Sequence, residues 1–354
     1  MRIAGFVAFS ALLVFTGCHR QSMPTVDFGI VEAGSVELAG ENSLADIVRD
    51  PSGYWWLVDE HDDRLVRFSP SGERVDSVGG SGEGPREFRA PTAIVARSSG
   101  DLVVVDAALS RVTVFGPRDD LQHRAVRSFK SPGLTSHMFD GPGVDDVTVL
   151  VNEARMVHGP TFYTMQLRDG RLTDSLHIRE ELRRLYGNNR VDANFFGARL
   201  YRGGYLVAEM VPFTTVSVLD RSGNSTAWPI PQSPDADRTW LHAEADSMFR
   251  GAKASLPGGM RFDSATYVKK MLATSKPDMV NLELFEIGGD NCLWIVRHEG
   301  QAMVLQRVDS VGALKGRVRL TDRPKMLRST PIGVVAVSQA DDGVVRLREF
   351  TPGR

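Results

Sequence analysis

Residues Leu44–Pro70, LADIVRDPSGYWWLVDEHDDRLVRFSP, and Pro91–Pro117, PTAIVARSSGDLVVVDAALSRVTVFGP, superimpose without a gap when Leu44 is set on Pro91. Ile47 then meets Ile94, Val48 meets Val95, Gly53 meets Gly100, Val58 meets Val105, Asp59 meets Asp106, Arg64 meets Arg111 and Phe68 meets Phe115. Self-similarity at this spacing, carried by short apolar runs and turn residues, is the pattern of a β-propeller blade. Within the unit, Ile47-Val48 reads as a strand and Asp50-Pro51-Ser52-Gly53 as a turn. Trp55–Val58 is a second strand, Glu60–Asp63 a polar turn, Arg64–Phe68 a third strand, and Val75–Val78 an outer fourth after Pro70-Ser71-Gly72.

Weaker copies follow. Gly204–Val207 with Val216–Leu219 overlays the first unit when Gly204 is set on Gly53, and Val147–Val151 with Phe162–Leu167 gives a unit with a longer middle turn. Leu293–Val296 with Met303–Val308, and Val334–Val337 with Val344–Leu347, give two more. Units near 44, 91, 140, 195, 283 and 331 lead us to expect an all-β fold, a six-bladed β-propeller of four-stranded antiparallel blades. An open ring would expose unpaired strand edges. The alternating stretch Ser35–Leu38 is therefore expected to complete the last blade. About 231–280 is too long for a blade connection, and Arg238–Phe249 and Ser264–Ala273 have helical apolar spacing, so a small, partly helical insertion is expected there. Ile178–Tyr186 is a further short helix candidate.

The first residues are a separate object. Arg2, the apolar run Ile3–Phe15 and the small residues Thr16-Gly17 form a secretory signal sequence, too short to be a stable membrane span. LVFTGC resembles the bacterial lipobox, apart from Phe15 where an aliphatic residue is usual, and the resemblance implies a diacylated Cys18 as the new N-terminus. The expected organisation is a signal peptide at 1–17, lipidated Cys18 and tether at 18–34, and propeller at 35–354. That places the protein in the bacterial cell envelope as a membrane-anchored lipoprotein, periplasmic or at the cell surface. With Cys18 acylated, Cys292 has no disulfide partner, and its apolar run Cys-Leu-Trp-Ile-Val reads as buried and inert.

Apolar content of 42% and charged content of 24% are those of a globular chain. Lys+Arg 42 against Asp+Glu 44 leaves a net charge of −2, with none of the basic excess that nucleic acid demands. Membrane contact is expected through the N-terminal lipid alone.

GGSGEGPREFRAP, Gly79 to Pro91, followed by GDLVVVDAALSRVTVF, Gly100 to Phe115, resembles the NHL repeat. Its pattern is a G-x-G-P-x-E-F-x-x-P lead-in, an apolar strand, Asp, and a strand beginning at Arg. The resemblance covers about 44–117 closely and the rest in outline. It implies a six-bladed propeller of the kind common among bacterial lipoproteins, a fold that hosts binding modules, lyases and lactonases alike.

Chemical candidates are few. Gly79–Gly84 lacks the Gly-Lys-Ser/Thr ending and following helix of a phosphate loop, and reads as an inter-blade turn. Asp59 and Asp106 occupy one repeat position. They could hold Ca or Zn at a channel mouth, or cap the following turn and pair with Arg64 and Arg111; repetition favours capping. At that position the ungapped overlay places Met210 and Arg297 in later units. His61, His137, His158, His242 and His298 form no ligand motif, and the basic run Arg179–Arg190 reads as a solvated helix face. No catalytic residue and no cofactor is assigned. The expected role is a membrane-tethered module binding a protein, peptide or small-molecule ligand on its longer loops. The alternative is a metal-dependent hydrolase or lyase, lactonase-like or amidating-lyase-like, with a central-channel site.

Overall fold

A computed structural model describes residues 26–40, 43–116, 126–133, 135–141, 145–151, 161–177, 195–201, 204–209, 215–219, 225–231, 282–299 and 302–353. The helix candidates at 178–186, 238–249 and 264–273, and nearly all of the insertion about 231–280, lie outside these residues. So does Cys18.

In chain order the strands are β1 (Ile30–Leu38), β2 (Leu44–Arg49), β3 (Trp55–Asp59), β4 (Arg64–Phe68), β5 (Arg74–Gly79), β6 (Pro91–Ala96), β7 (Leu102–Asp106) and β8 (Arg111–Phe115). Next come β9 (Val126–Lys130), β10 (Thr135–Asp140), β11 (Asp146–Val151), β12 (Thr161–Gln166), β13 (Leu172–His177), β14 (Phe195–Tyr201), β15 (Gly204–Glu209) and β16 (Thr215–Leu219). The chain continues as β17 (Ser225–Pro229), β18 (Leu282–Ile287), β19 (Leu293–Glu299), β20 (Ala302–Val308), β21 (Leu314–Leu320), β22 (Met326–Ser329), β23 (Val334–Gln339) and β24 (Val345–Pro352). Among the described residues they form six four-stranded sheets: β2 to β5, β6 to β9, β10 to β13, β14 to β17, β18 to β21, and a last sheet ordered β1-β24-β23-β22. Neighbouring strands within each sheet are antiparallel, as in the meander Trp55↔Phe68 and Arg64↔Gly79 of the first sheet.

These sheets stack face to face as propeller blades do. The inner strands follow one another, β2 beside β6, β6 beside β10, β10 beside β14, β14 beside β18 and β18 beside β22. Strand β3 is buried at every position, which alternation about a single core face cannot produce. Its even-numbered residues Trp56 and Val58 pack with Ile94, Val104 and Phe115 of the second sheet. Its odd-numbered Trp55 and Leu57 pack with Val335, Val337 and Leu347 of the last sheet. A continuous apolar run is thus what a strand between two neighbours requires.

The ring closes through the N-terminal strand. β1 pairs with β24 along its length, from Ile30↔Pro352 to Leu38↔Val345, as the alternation of Ser35–Leu38 predicts. It begins at Ile30, however, inside the segment expected to be tether. Upstream, Phe28 exchanges two backbone hydrogen bonds with Arg317 of β21 (2.8 and 2.7 Å), and Asp27 pairs with the same guanidinium at 3.0 Å. That guanidinium is buried and also bonds Glu299 at 2.6 Å; with Arg297 close to the same Glu299, Asp27 adds a second carboxylate for two buried guanidinium groups. The second tie is Asp46. It accepts the Ile94 N–H of β6 at 3.0 Å and the Arg328 guanidinium of β22, joining the first sheet to both neighbours.

Candidate functional site

The turns β3–β4 and β7–β8 are the same repeat position, and Asp63 and Ser110 sit there with matching positive φ of 50° and 47°. What surrounds them differs. Fully buried Asp106 accepts the N–H of Leu109 at Oδ1 (2.9 Å), closing the β7–β8 turn, and the N–H of Arg89 at Oδ2 (2.8 Å). This is the capping role expected of it. Arg111 does not pair with it. With both Asp106 oxygens engaged by backbone, the guanidinium reaches along the lead-in segment 80–90 and donates to the carbonyls of Glu83 (2.9 Å), Gly84 (3.0 Å) and Glu87.

The lead-in is thereby a folded plug. Gly82 N–H bonds the Phe88 carbonyl and Phe88 N–H bonds the Gly80 carbonyl, while Phe88 itself is fully buried between the first two sheets. Gly79 has φ 120°, and a Cβ there would lie 2.8 Å from the Arg64 Cα, so glycine is required twice over. A phosphate loop aims amides at an anion; here carbonyls converge on a cation, and the glycine run has the opposite polarity.

Around the first sheet the same residues find no such segment, because only 39–43 join β1 to β2. Asp59, 2% exposed, accepts the Ser43 N–H at 3.3 Å and pairs through Oδ2 with Arg64 (Nε 3.2 Å, Nη2 3.1 Å). Arg64 also binds Asp62 at 2.5 Å. Above this pair lies an open cleft of about 560 Å³, lined by Ser43, Asp59, His61, Asp62, Asp341, Asp342 and Gly343. The turns β3–β4 and β23–β24 form its opposite walls, so it spans the seam where the last sheet meets the first. Four lining carboxylates face one neighbouring guanidinium, and the cleft is net acidic.

The other candidates do not converge on it. Register pairs Phe195 with Glu209 and Leu282 with Arg297, as Leu44 pairs with Asp59, so the fourth-sheet counterpart of Asp59 is Glu209 and not Met210. At matched register the β14–β15 hairpin is one residue shorter than β2–β3 and the β15–β16 connection one residue longer than β3–β4, so β15 alone is displaced by one residue from the ungapped overlay. Arg297 is fully buried and donates to the Pro231 carbonyl at 2.7 Å and to Gln306; burial, with Arg317 nearby, pulls its pKa down to about 10. His298 is buried in the fifth sheet, away from His61. Side-chain placement of His137, and both His158 and His242, lie outside the described residues. Among the described residues no group of three or more His, Cys, Asp or Glu could hold a metal ion. Cys292 is a free thiol packed between the fifth and last sheets, and burial followed by Asp290 pushes its pKa up.

No family model matches the chain, and no curated protein does. Solved structures are similar in fold. A putative exported protein from Bacteroides fragilis aligns with a TM-score of 0.55 at 10% identity, covering 94% of this chain and 98% of that one. Hydrazine synthase from Kuenenia stuttgartiensis aligns at 0.50 and 10% identity, covering 88% and 97%. Virginiamycin B lyase from Staphylococcus aureus aligns at 0.48 and 12% identity, covering 86% and 79%. At such identities the likeness speaks to architecture, and together with the sheet topology it makes this chain an all-β propeller of four-stranded antiparallel blades.

Proposed function

We propose that the protein is an exported, lipid-anchored propeller of the six-bladed NHL type that works by binding, and that its ligand seats in the seam cleft. The observation that carries this reading is the cleft itself. It has the volume of a ligand site, rests on two rigid turns and gathers carboxylates from opposite ends of the chain. In this reading Asp106 caps the β7–β8 turn, while Asp59 holds the Ser43 N–H and the Arg64 guanidinium. Export rests on the signal sequence and anchoring on Cys18. With Asp27 docked on β21, residues 19–26 reach at most about 30 Å when extended, so the ring stays close to the bilayer.

Thermal unfolding of the mature protein against a panel of organic cations, anions and neutral solutes tests the cleft. Cations should raise Tm, and Asp341→Lys should remove the effect. Stabilisation by anions or neutral solutes alone, or cation effects that survive Asp341→Lys, would refute the assignment. Separately, Cys18→Ala should release the protein from the membrane fraction; unchanged attachment would end the lipoprotein reading.

A further inference from the structure

We infer that the occupant of the seam cleft is an extended polypeptide segment carrying Lys or Arg, lying where the lead-in segment 80–90 lies over the second sheet. This rests on the binding reading above and names its ligand. The argument comes from the repeat. The apolar layers beneath the two positions correspond residue by residue, with Ile47, Leu57 and Phe68 at the seam standing for Ile94, Val104 and Phe115. Even the plug has a substitute, for Leu38 at the end of β1 is buried in the seam cluster as Phe88 is in the other. The apolar part is therefore complete; in the polar part above it Asp59 already takes one backbone N–H, that of Ser43, while the partners of Arg64 are carboxylates and not carbonyls.

In the second sheet that polar part is occupied by polypeptide: the Asp106 carboxylate takes an N–H of the segment and the Arg111 guanidinium takes three of its carbonyls. The counterparts Asp59 and Arg64 stand at the same ladder positions, Asp59↔Arg64 as Asp106↔Arg111. Arg64 is held meanwhile by Asp62, which replaces Leu109 of the second unit. A basic side chain on an incoming segment satisfies Asp62, Asp341 and Asp342, and frees Arg64 to donate to that segment's carbonyls. A small organic cation meets the carboxylates equally well but offers no carbonyl to Arg64, and this separates the two.

The experiment uses the mature, detergent-solubilised protein and two probes. One is a peptide with the sequence of Gly80–Ala90 carrying Glu83→Lys and Glu87→Lys; the other is spermidine. Calorimetry should show the peptide binding more tightly than spermidine. Arg64→Ala should weaken the peptide about tenfold and leave spermidine as tight or tighter, because a like charge is removed, whereas Asp341→Lys, on an exposed turn, should weaken both. If Arg64→Ala folds poorly, Arg64→Lys, which keeps the charge but loses the planar fork, should still weaken the peptide selectively. Spermidine binding as tightly as the peptide, with no response to either Arg64 variant, would overturn the peptide inference and leave a cation-binding cleft. Binding of neither probe overturns the peptide inference, and absence of any cation effect on Tm sinks the binding reading with it.

Discussion

The first and second sheets carry nearly the same unit, yet Arg111 holds backbone carbonyls while Arg64 holds carboxylates. The cause lies upstream of both. An eleven-residue stretch, 80–90, leads into the second sheet and folds over its turn, whereas 39–43 leads into the first, because ring closure by β1 delivers the chain there directly. A repeat therefore fixes the scaffold of each blade, and the connection before it decides whether the same polar residues are structural or available. At the seam Arg64 is left to carboxylates, with no lead-in carbonyls to hold.

The strongest way to break this comparison is at the two plugs. Phe88→Ala empties a fully buried site and should cost about 3–5 kcal/mol; Leu38→Ala should cost about 2–5 kcal/mol. Denaturant unfolding gives both. A Leu38→Ala cost below about 1 kcal/mol would mean that the seam lacks a plug, and that the two interfaces are not equivalent beneath the cleft.

Next in size is Asp46, whose counterpart in the second sheet, by the shared bulge at the start of β2 and β6, is Ala93. Asp46→Ala takes the carboxylate from the Arg328 guanidinium, leaving it the Ile47 and Leu327 carbonyls, and removes the acceptor of two N–H groups, those of Ile47 and Ile94. Since Arg328 keeps a quarter of its side chain exposed, about 3 kcal/mol is expected, at the lower end for a broken buried pair. Asp46→Asn, retaining one acceptor, should recover part of it. Equal losses in both variants would argue that the carboxylate charge, not its bridging geometry, ties the ring.

Smaller again is the contrast between the repeated aspartates. Asp106→Ala removes two short N–H acceptors at zero exposure and should cost about 2 kcal/mol, while Asp59→Ala removes one long bond and leaves Arg64 with Asp62, for about 1 kcal/mol. Added calcium or zinc should leave Tm of the wild type unchanged; a metal-dependent rise lost in both variants would favour the hydrolase or lyase reading.

Much of this architecture was legible in the sequence. The strands of the first two units, the closing role of Ser35–Leu38, the capping role of Asp106 and the Asp59–Arg64 pair all follow from local patterning, because apolar runs and turn residues act over a few positions; Asp59, expected to cap its own turn as well, takes the upstream Ser43 N–H instead. The cleft was not legible. Asp62 and Asp341 are brought together by ring closure, and nothing near either residue signals the other. Arg111 was misassigned for a related reason, since its partners are carbonyls, and every residue has one.

The smallest effect separates the seams by pH. The second interface is sealed by Phe88, an apolar group indifferent to protons, while the last sheet is laced by carboxylates. Burial raises the pKa of Asp322, but the Ser338 hydroxyl and the Arg348 guanidinium outweigh it and hold the carboxyl below the usual range. Arg348 also binds Glu32 of β1 at 2.6 Å, so Asp322 helps to hold the strand that closes the ring. A carboxylate whose folded pKa lies below its unfolded value, about 3.9, stabilises fully above that value and loses the contribution as pH falls through the folded one. Below about pH 4, amides of β1 and β24 should therefore exchange sooner than those of β6 and β7, and Asp322→Asn should flatten that acid limb by lowering stability at pH 7, where the carboxylate contributes fully, while changing it little once the carboxyl is protonated. Equal acid sensitivity on both sides of the ring, unaltered by Asp322→Asn, would show that closure depends on the β1–β24 ladder and the apolar cluster beneath it, with the carboxylates contributing nothing specific to the seam.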